Sequence, residues 1–174
     1  MNDATNSVGT TEDWERRSAD LWASFDDYEE ADFVARIGEL AAELPAGNAV
    51  ALFERACAQD STGHSDVAVP LYREALDTGL VGIRRRRAVI QMSSSLRNIG
   101  RAQESVDLLT RERDAGSDEL DDAVSATLAL ALADVGRERE AVSVAVAALA
   151  PHLVRYQRSM ANYARLLLDQ GSSE

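Results

Sequence analysis

Three glycine-centred segments of this chain recur at a nearly constant spacing, and this periodicity limits the folds that the chain can adopt. The segments are GHSDVAVPLYREAL from Gly63, GRAQESVDLLTRER from Gly100 and GREREAVSVAVAAL from Gly136, at spacings of 37 and 36 residues. Each segment places a small residue five positions after its glycine and a valine directly after that residue. A fixed period of this length indicates an array of similar units that bury their apolar faces against one another.

Each unit reads as two helices joined by a glycine turn. Before Gly100, the apolar residues Val89, Met92 and Leu96 follow one another at steps of three and four, which places them on one face of a helix. Glycine suits the turn because it adopts the left-handed backbone without steric cost. Aromatic residues make up only 5% of the chain, so small and aliphatic side chains supply the core. The pattern predicts an all-α fold, an α-solenoid of antiparallel helix pairs.

The repeat divides the chain into units with definite bounds. We expect a disordered tail at 1–10 and a single domain at 11–170. The domain contains a degenerate unit at 12–47, units at 48–83, 84–118 and 119–152, and a C-terminal capping helix at 153–170. In the degenerate unit Asp26 stands where glycine stands later, and Asp27 is predicted to cap the second helix.

The spacing within the units resembles the tetratricopeptide repeat, a helix pair of roughly 34 residues. The first unit matches through Gly63, Ala68, Tyr72 and Ala75. The third matches through Gly136, Ala141, Ala148 and Pro151, with Ala145 in the position of the bulky residue, whereas the second departs with Ser105, Leu109 and Glu112.

The chain also looks like the short stand-alone tetratricopeptide proteins of actinobacteria, through FERACAQDSTGHSDVAVPLYREAL and RRRRAVIQMSSSLRNIGR. The resemblance implies a right-handed superhelix whose first helices line a concave groove that holds peptides or other proteins. It therefore implies a non-catalytic scaffold for protein–protein interaction.

Charge and composition exclude several classes of function. The net charge is −12, and residues 1–45 hold 12 acids against three arginines, so phosphate backbones are repelled and nucleic-acid binding is not expected. The longest apolar run, at 144–150, is far shorter than the roughly 20 residues that span a bilayer. A single cysteine, Cys57, fits a reducing compartment. We expect a cytoplasmic protein without membrane, metal or cofactor.

Four consecutive arginines, at 84–87, open the first helix of the second regular unit. If the core side carries Val89, Met92 and Leu96, a neighbouring stripe faces the groove. Its members are Arg87, Gln91, Ser94, Arg97 and Asn98. Arginine and amide groups suit a carboxylate or a peptide backbone. Arg84, Arg85 and Arg86 point elsewhere, and we expect them to pair with acids of the preceding unit such as Glu74 and Asp77. In an alternative, all four arginines are ordinary solvated or salt-bridged surface residues.

Neighbouring first helices should extend this groove on both sides. One flank is expected to add Phe53, Cys57, Asp60 and His64, and the other to add Ala126, Leu130, Ala133 and Asp134. The predicted partner-binding residues are then Arg87, Gln91, Ser94, Arg97, Asn98, Asp60, His64 and Asp134. Such a groove suits a protein or peptide with apolar side chains and an acidic side chain or a C-terminal carboxylate.

Two other functions stay open from the sequence. The aromatic helix with Trp14, Trp22 and Phe25 favours an interaction protein that acts through its outer surface or as a homodimer, if these side chains exceed what one helix pair can bury. A helical hydrolase or small-molecule-binding protein would need His64 and Asp60 to converge. Cys57, Asp60 and His64 share the spacing of one helix side, but three ligands without a fourth are a weak metal site.

Overall fold

Helices account for all the regular structure of the described chain. The structure is a computed structural model that describes residues 11–169, in which no strand occurs. The all-α prediction is therefore confirmed for these residues, while the predicted tail at 1–10 and residue 170 lie outside them. The α-helices are α1 (Glu12–Ala23), α2 (Glu30–Ala42), α3 (Ala49–Ser61), α4 (Ser65–Asp77), α5 (Gly82–Asn98), α6 (Ala102–Ala115), α7 (Asp121–Asp134), α8 (Glu138–Leu149) and α9 (Gln157–Asp169), and 3₁₀ turns occupy Phe25–Asp27 and Ala150–His152.

Many of the helices that follow one another in sequence pack as neighbours. The pair α3 and α4 and the pair α7 and α8 each close through a glycine turn, and α6 also packs against α7. Gly63, Gly100 and Gly136 have φ values of 81°, 76° and 75°. Residues other than glycine rarely adopt this left-handed backbone conformation, so the predicted glycine turns are confirmed.

The degenerate unit at 12–47 turns in a different way. Phe25–Asp27 form a 3₁₀ turn, and α2 begins only at Glu30, after Glu29. The prediction that Asp27 caps α2 is therefore wrong. Without a glycine to take the left-handed conformation, the chain changes direction through a 3₁₀ turn, which needs only ordinary right-handed dihedrals.

The described chain contains two compact segments, one within Met1–Arg85 and the other within Arg86–Glu174. We call them the N-terminal and C-terminal segments. In the N-terminal segment, Phe33 and Ile37 of α2 are buried with Ala58 of α3, and Trp22 and Phe25 pack against them. The rings of Phe25 and Phe33 meet edge to face at 4.7 Å between centroids, a favourable geometry for aromatic pairs.

The core of the C-terminal segment joins three helices. Val106 and Leu109 of α6 lie in one buried cluster with Val124 and Leu128 of α7, and Ala141 of α8 completes it. The small side chain at position 141 lets α8 approach α7 closely, as the repeat spacing predicts.

The last described helix, α9, packs on α8 through polar contacts to its backbone. Ser143 Oγ donates a hydrogen bond to the carbonyl oxygen of Ala164 at 2.7 Å. Arg139 Nη2 donates a hydrogen bond to the carbonyl oxygen of Leu167 at 3.3 Å. Among residues 11–169, no helix combines the length and apolar character needed to cross a membrane.

Candidate partner-binding surface

One side of α5 presents the predicted stripe to solvent. Val89, Met92 and Leu96 are buried, as the helical period predicts. The stripe beside them is accessible: Arg87 and Asn98 are exposed, and Gln91, Ser94 and Arg97 are partly buried. We call Arg87, Gln91, Ser94, Arg97 and Asn98 the α5 stripe. Its two arginines are ten residues apart, which corresponds to about 15 Å along a helix.

A row of small and apolar residues on α7 is also exposed. We call Ala126, Leu130, Ala133 and Asp134 the α7 stripe, and all four are exposed. Ile90 of α5 packs against the buried cluster formed by α6, α7 and α8. Arg97 of α5 contacts Asp134 of α7, so the two helices are neighbours. We call the two stripes together the α5–α7 surface.

A salt bridge joins the two helices at one end of this surface. Arg97 Nε donates to Asp134 Oδ2 at 2.6 Å. The bridge is partly exposed, so its contribution to stability is small, but it orients both side chains. Asp134 offsets the charge of Arg97 at this end, and Arg87 lies at the other end of the α5 stripe.

Arg86, the third arginine of the run, is buried among acids. Its side chain is 7% exposed. Nη1 donates to the Gly116 carbonyl oxygen at 3.2 Å, and Nη2 donates to Asp121 Oδ1 at 2.6 Å. Asp118 and Glu112 carboxylate oxygens lie 3.3 and 3.8 Å from Nε. Arg86 therefore ties α5 to α6 and to the connection that leads into α7.

Local hydrogen bonds hold the Asp121 carboxylate in place. It accepts hydrogen bonds from the Ser117 hydroxyl and from the Asp118 backbone N–H. These two bonds, followed by the charge of Arg86, lower the pKa of Asp121 below its ordinary value. The ionised form of Asp121 is thus the form that the fold stabilises.

Arg84 contacts a different group of acids in the N-terminal segment. Its Nη1 and Nη2 donate to the two carboxylate oxygens of Glu15 on α1, at 2.9 and 2.5 Å, and its Nε lies 3.4 Å from Glu54 Oε1 on α3. The hydrogen bond to Glu15 raises the pKa of Arg84. Glu54 is buried and also accepts a hydrogen bond from Trp22 Nε1 at 2.8 Å.

The prediction that Arg84 and Arg86 pair with acids of the preceding unit is confirmed for Arg84, which contacts Glu54 in place of the suggested Glu74 or Asp77. The prediction is wrong for Arg86, whose acids lie on α6 and in the connection to α7. Successive residues of a helix point about 100° apart, so side chains two positions apart leave on nearly opposite sides. Arg84 accordingly contacts acids on α1 and α3, and Arg86 contacts acids on α6 and in the connection to α7. Arg86 also lies three residues before Val89, a spacing that places it on the core side of α5.

The predicted N-terminal flank is mostly core. Phe53 and Cys57 are buried, so the expectation that they line a groove is wrong. The Phe53 ring lies 6.3 Å from that of Tyr72 on α4, because this side of α3 packs on its partner helix. Asp60 is partly buried and accepts a hydrogen bond from the Tyr72 hydroxyl at 3.4 Å. Burial is the main cause that raises the pKa of Tyr72 above its ordinary value.

His64 is exposed, but it does not belong to α3. That helix ends at Ser61, and His64 precedes the first residue of α4. Its Nδ1 lies 3.1 Å from Thr62 Oγ1. Of the two residues that a hydrolase would need together, Asp60 contacts Tyr72 and His64 contacts Thr62. Within 11–169 no group of three histidine, cysteine or acidic side chains is arranged to hold a metal ion.

The N-terminal aromatic residues contribute to the core instead of forming an exposed patch. Trp14 is buried, and its Nε1 donates to the Leu40 carbonyl oxygen at 2.9 Å. Trp22 and Phe25 are partly buried against Phe33. The idea that one helix pair cannot bury these side chains is therefore wrong for Trp14, and the premise of dimerisation through this helix is weakened.

Comparison with known proteins agrees with this architecture. A family model described as Tetratrico peptide repeat matches residues 49–167. That range covers more than half of the chain, from the start of α3 into α9. No match was found among the curated proteins or among the solved structures. The repeat spacing, the packed helix pairs and the family match lead to one conclusion: the chain belongs to the tetratricopeptide repeat family.

Proposed function

We propose that this chain is a non-catalytic interaction protein that binds a peptide or protein partner along the α5–α7 surface. The observation that supports this proposal is the adjacency of two unlike rows. A cationic and amide-bearing row on α5 lies beside an exposed apolar row on α7, and the Arg97–Asp134 bridge joins their ends. Repeat proteins of this family generally mediate protein–protein interaction.

The chemistry of the surface defines the partner that we expect. Arg87 suits an acidic side chain or a C-terminal carboxylate, because a guanidinium can donate two parallel hydrogen bonds to one carboxylate. Gln91 and Asn98 can donate to and accept from a peptide backbone. Leu130 offers contact to an apolar side chain. Asp60 and His64 stay predicted partner contacts of the N-terminal segment.

We place this binding in a reducing compartment such as the cytoplasm. The single cysteine of the chain supports this placement, since the chain has no second thiol for an internal disulfide.

The proposal is tested with an array of random peptides that are presented with either a free or an amidated C-terminus. Wild-type protein should select peptides that combine an apolar residue with a carboxylate, and binding should weaken as salt increases. Arg87→Glu and Leu130→Glu should each lose the selected peptides. Arg111→Glu, a charge reversal at an exposed position of α6, is the matched control and should retain them.

Capture from cell lysate with the same four proteins then identifies the natural partner. A partner that only Arg87→Glu and Leu130→Glu lose would support the α5–α7 surface. Peptides and partners that all four proteins retain equally would refute it, provided that circular dichroism shows equal folding.

A further inference from the structure

A cleft in the N-terminal segment has walls of aliphatic and small side chains. Its volume is about 490 Å³, which is within the range of cavities that hold small ligands. The residues that line it come from the end of α2, from the connection at 43–48, and from α3 and α4. Leu44, Leu52 and Leu71 are its largest apolar members. We call this cavity the α2–α4 cleft.

The backbone and the small side chains explain why the cleft is open. Helix α2 ends at Ala42 and α3 begins only at Ala49, and Gly47 turns the connection with a φ value of 73°. Asn48 Oδ1 accepts hydrogen bonds from two backbone N–H groups in the first turn of α3, at 2.9 and 3.1 Å, and so fixes the start of that helix. Four of the lining positions, at 41, 42, 46 and 51, are alanine and leave the space unfilled.

One cation and one anion line the cleft. Arg55 on α3 and Glu74 on α4 are both exposed. Within residues 11–169 neither side chain takes part in an ion pair, and the hydrogen bond from Arg55 Nη2 to the Gly38 carbonyl oxygen is long, at 3.5 Å. The nearby Glu43, by contrast, is paired with Arg17 at 2.5 Å. The charges of Arg55 and Glu74 are therefore available to a bound molecule.

We propose that the α2–α4 cleft binds a small zwitterion with an aliphatic side chain, either a free amino acid or a short peptide. The Arg55 guanidinium binds the carboxylate of this ligand, because it can donate two parallel hydrogen bonds to one carboxylate. The Glu74 carboxylate accepts hydrogen bonds from the ammonium group, which has three donors. The aliphatic side chain of the ligand contacts the leucine residues of the cleft, away from water.

The two charges disfavour other classes of ligand. A phosphate-bearing molecule brings several negative charges toward Glu74, and a simple amine brings its positive charge toward Arg55, so each meets a like charge. A fatty acid, or the C-terminus of a larger partner, offers a carboxylate for Arg55 but no cation for Glu74. Only a small zwitterion satisfies both side chains. All the lining residues belong to the N-terminal segment, so this binding does not depend on the α5–α7 surface.

Titration of isotope-labelled protein with leucine and with leucyl-leucine, followed by NMR, tests the proposal. Both charged side chains are exposed, so each ion pair contributes little, and we expect a dissociation constant on the order of 0.1–1 mM. Chemical-shift changes should saturate and should concentrate on residues of the cleft. Tighter binding of leucine identifies a free amino acid as the ligand, and tighter binding of leucyl-leucine identifies a peptide. Shifts that do not saturate with either probe up to about 20 mM, or that lie elsewhere, overturn the proposal.

Three analogues of leucine test the individual contacts. N-acetyl-leucine lacks the ammonium group, leucinamide lacks the carboxylate and glycine lacks the aliphatic side chain. The first two should each bind about threefold to fivefold more weakly than leucine, which corresponds to the loss of one exposed ion pair. Glycine should also bind more weakly, because it leaves the leucine residues of the cleft in water. N-acetyl-leucine and leucinamide that bind as tightly as leucine overturn the recognition of a zwitterion.

Variants of the charged residues assign each contact to its side chain. Glu74→Gln should bind leucine and N-acetyl-leucine with similar affinity, and Arg55→Gln should bind leucine and leucinamide with similar affinity. Asp77→Asn is the matched control, since it removes an exposed charge of α4 outside the cleft, and it should retain the preferences of the wild type. A Glu74→Gln variant that still prefers leucine to N-acetyl-leucine as strongly as the wild type overturns the assignment.

A filled cleft and a variant of the other surface complete the test. Ala42→Trp should abolish leucine binding by filling the cleft, and Ala42 is exposed, so the variant should fold normally, as circular dichroism would verify. Arg87→Glu should bind leucine like the wild type, whatever its effect on peptides at the α5–α7 surface. Leucine binding that survives in a folded Ala42→Trp variant overturns the location of the site.

Discussion

Replacement of Arg86 by methionine should strongly destabilise the C-terminal segment. Methionine retains an unbranched side chain in the helix but removes the guanidinium, including its hydrogen bond to the Gly116 carbonyl oxygen at 3.2 Å. Arg86 and Glu112 are 7% and 5% exposed, and their charged groups lie 3.8 Å apart. The substitution would leave Glu112 buried without this cation. Removal of one partner of a buried ion pair costs about 3–5 kcal/mol.

The other two acids place the expected value near the lower end of that range. The Asp118 and Asp121 side chains are 37% and 46% exposed, so water can solvate them when the cation is absent. We therefore expect the free energy of unfolding to fall by about 3 kcal/mol. Urea titration followed by circular dichroism measures it. Arg85→Met is the matched control, since its side chain is exposed, and it should change stability by less than about 0.5 kcal/mol.

A double mutant separates the ion pair from general packing. Glu112→Met in the Arg86→Met background removes the remaining buried charge, so the double mutant should be more stable than the sum of the two single effects by about 1 kcal/mol or more. A loss below about 1 kcal/mol in Arg86→Met, or effects that simply add, would refute the assignment of Arg86 as a buried ion-pair partner.

Three further substitutions test the packing and electrostatics of the helix pairs. Ser105→Ala should raise the free energy of unfolding by about 1 kcal/mol, because the buried Ser105 Oγ has no hydrogen-bond partner in the described structure; a lower melting temperature would contradict this. Ala68→Leu should cost about 1–3 kcal/mol by overfilling a completely buried position, and an unchanged urea midpoint would count against the repeat register. The pKa of Asp121 is lowered in the folded chain, so its ionisation stabilises the fold above about pH 4, and this stabilisation is lost as the pH falls through the folded pKa. Asp121→Asn should therefore flatten the decline of stability between about pH 5 and pH 2, which urea titrations at several pH values measure.

The repeat spacing was sufficient to predict the helix pairs and their turns. Gly63, Gly100 and Gly136 adopt the same left-handed backbone, and the positions five residues later are buried. The same spacing could not predict that Val142 is exposed where Val69 and Val106 are buried, because burial at that position depends on the next helix along the chain. Where α9 packs is decided by its own sequence and by the connection before it, neither of which follows the repeat.

The site residues show where helical periodicity stops being informative. The spacing of Val89, Met92 and Leu96 identified the core side of α5 and the accessible stripe next to it. The same period, extended three residues back from Val89, would have identified Arg86 as a core-side residue. The acids that contact Arg86 could not be predicted from the sequence, because the connection between α6 and α7 has no repeat pattern. Only the folded chain brings Asp118 and Asp121 to the guanidinium.

Residue type was a poor guide to exposure at the N-terminus. Large aromatic side chains in a short helix suggested a surplus of apolar surface for a second molecule. In the structure Trp14 is buried and donates its indole N–H to a backbone carbonyl, while Trp22 donates to the buried Glu54. A tryptophan that has both an apolar cavity and an acceptor within its own segment is a core residue.

The four consecutive arginines show that identical residues next to one another in a helix can have different surroundings. Arg84 pairs with acids on α1 and α3, Arg86 is enclosed by acids of α6 and of the connection to α7, and Arg87 is exposed on the α5 stripe. The rotation of about 100° per residue alone separates these environments. Substitution of the whole run would therefore mix loss of stability with loss of binding. Only single replacements can distinguish the structural arginines from the one that we propose meets a partner.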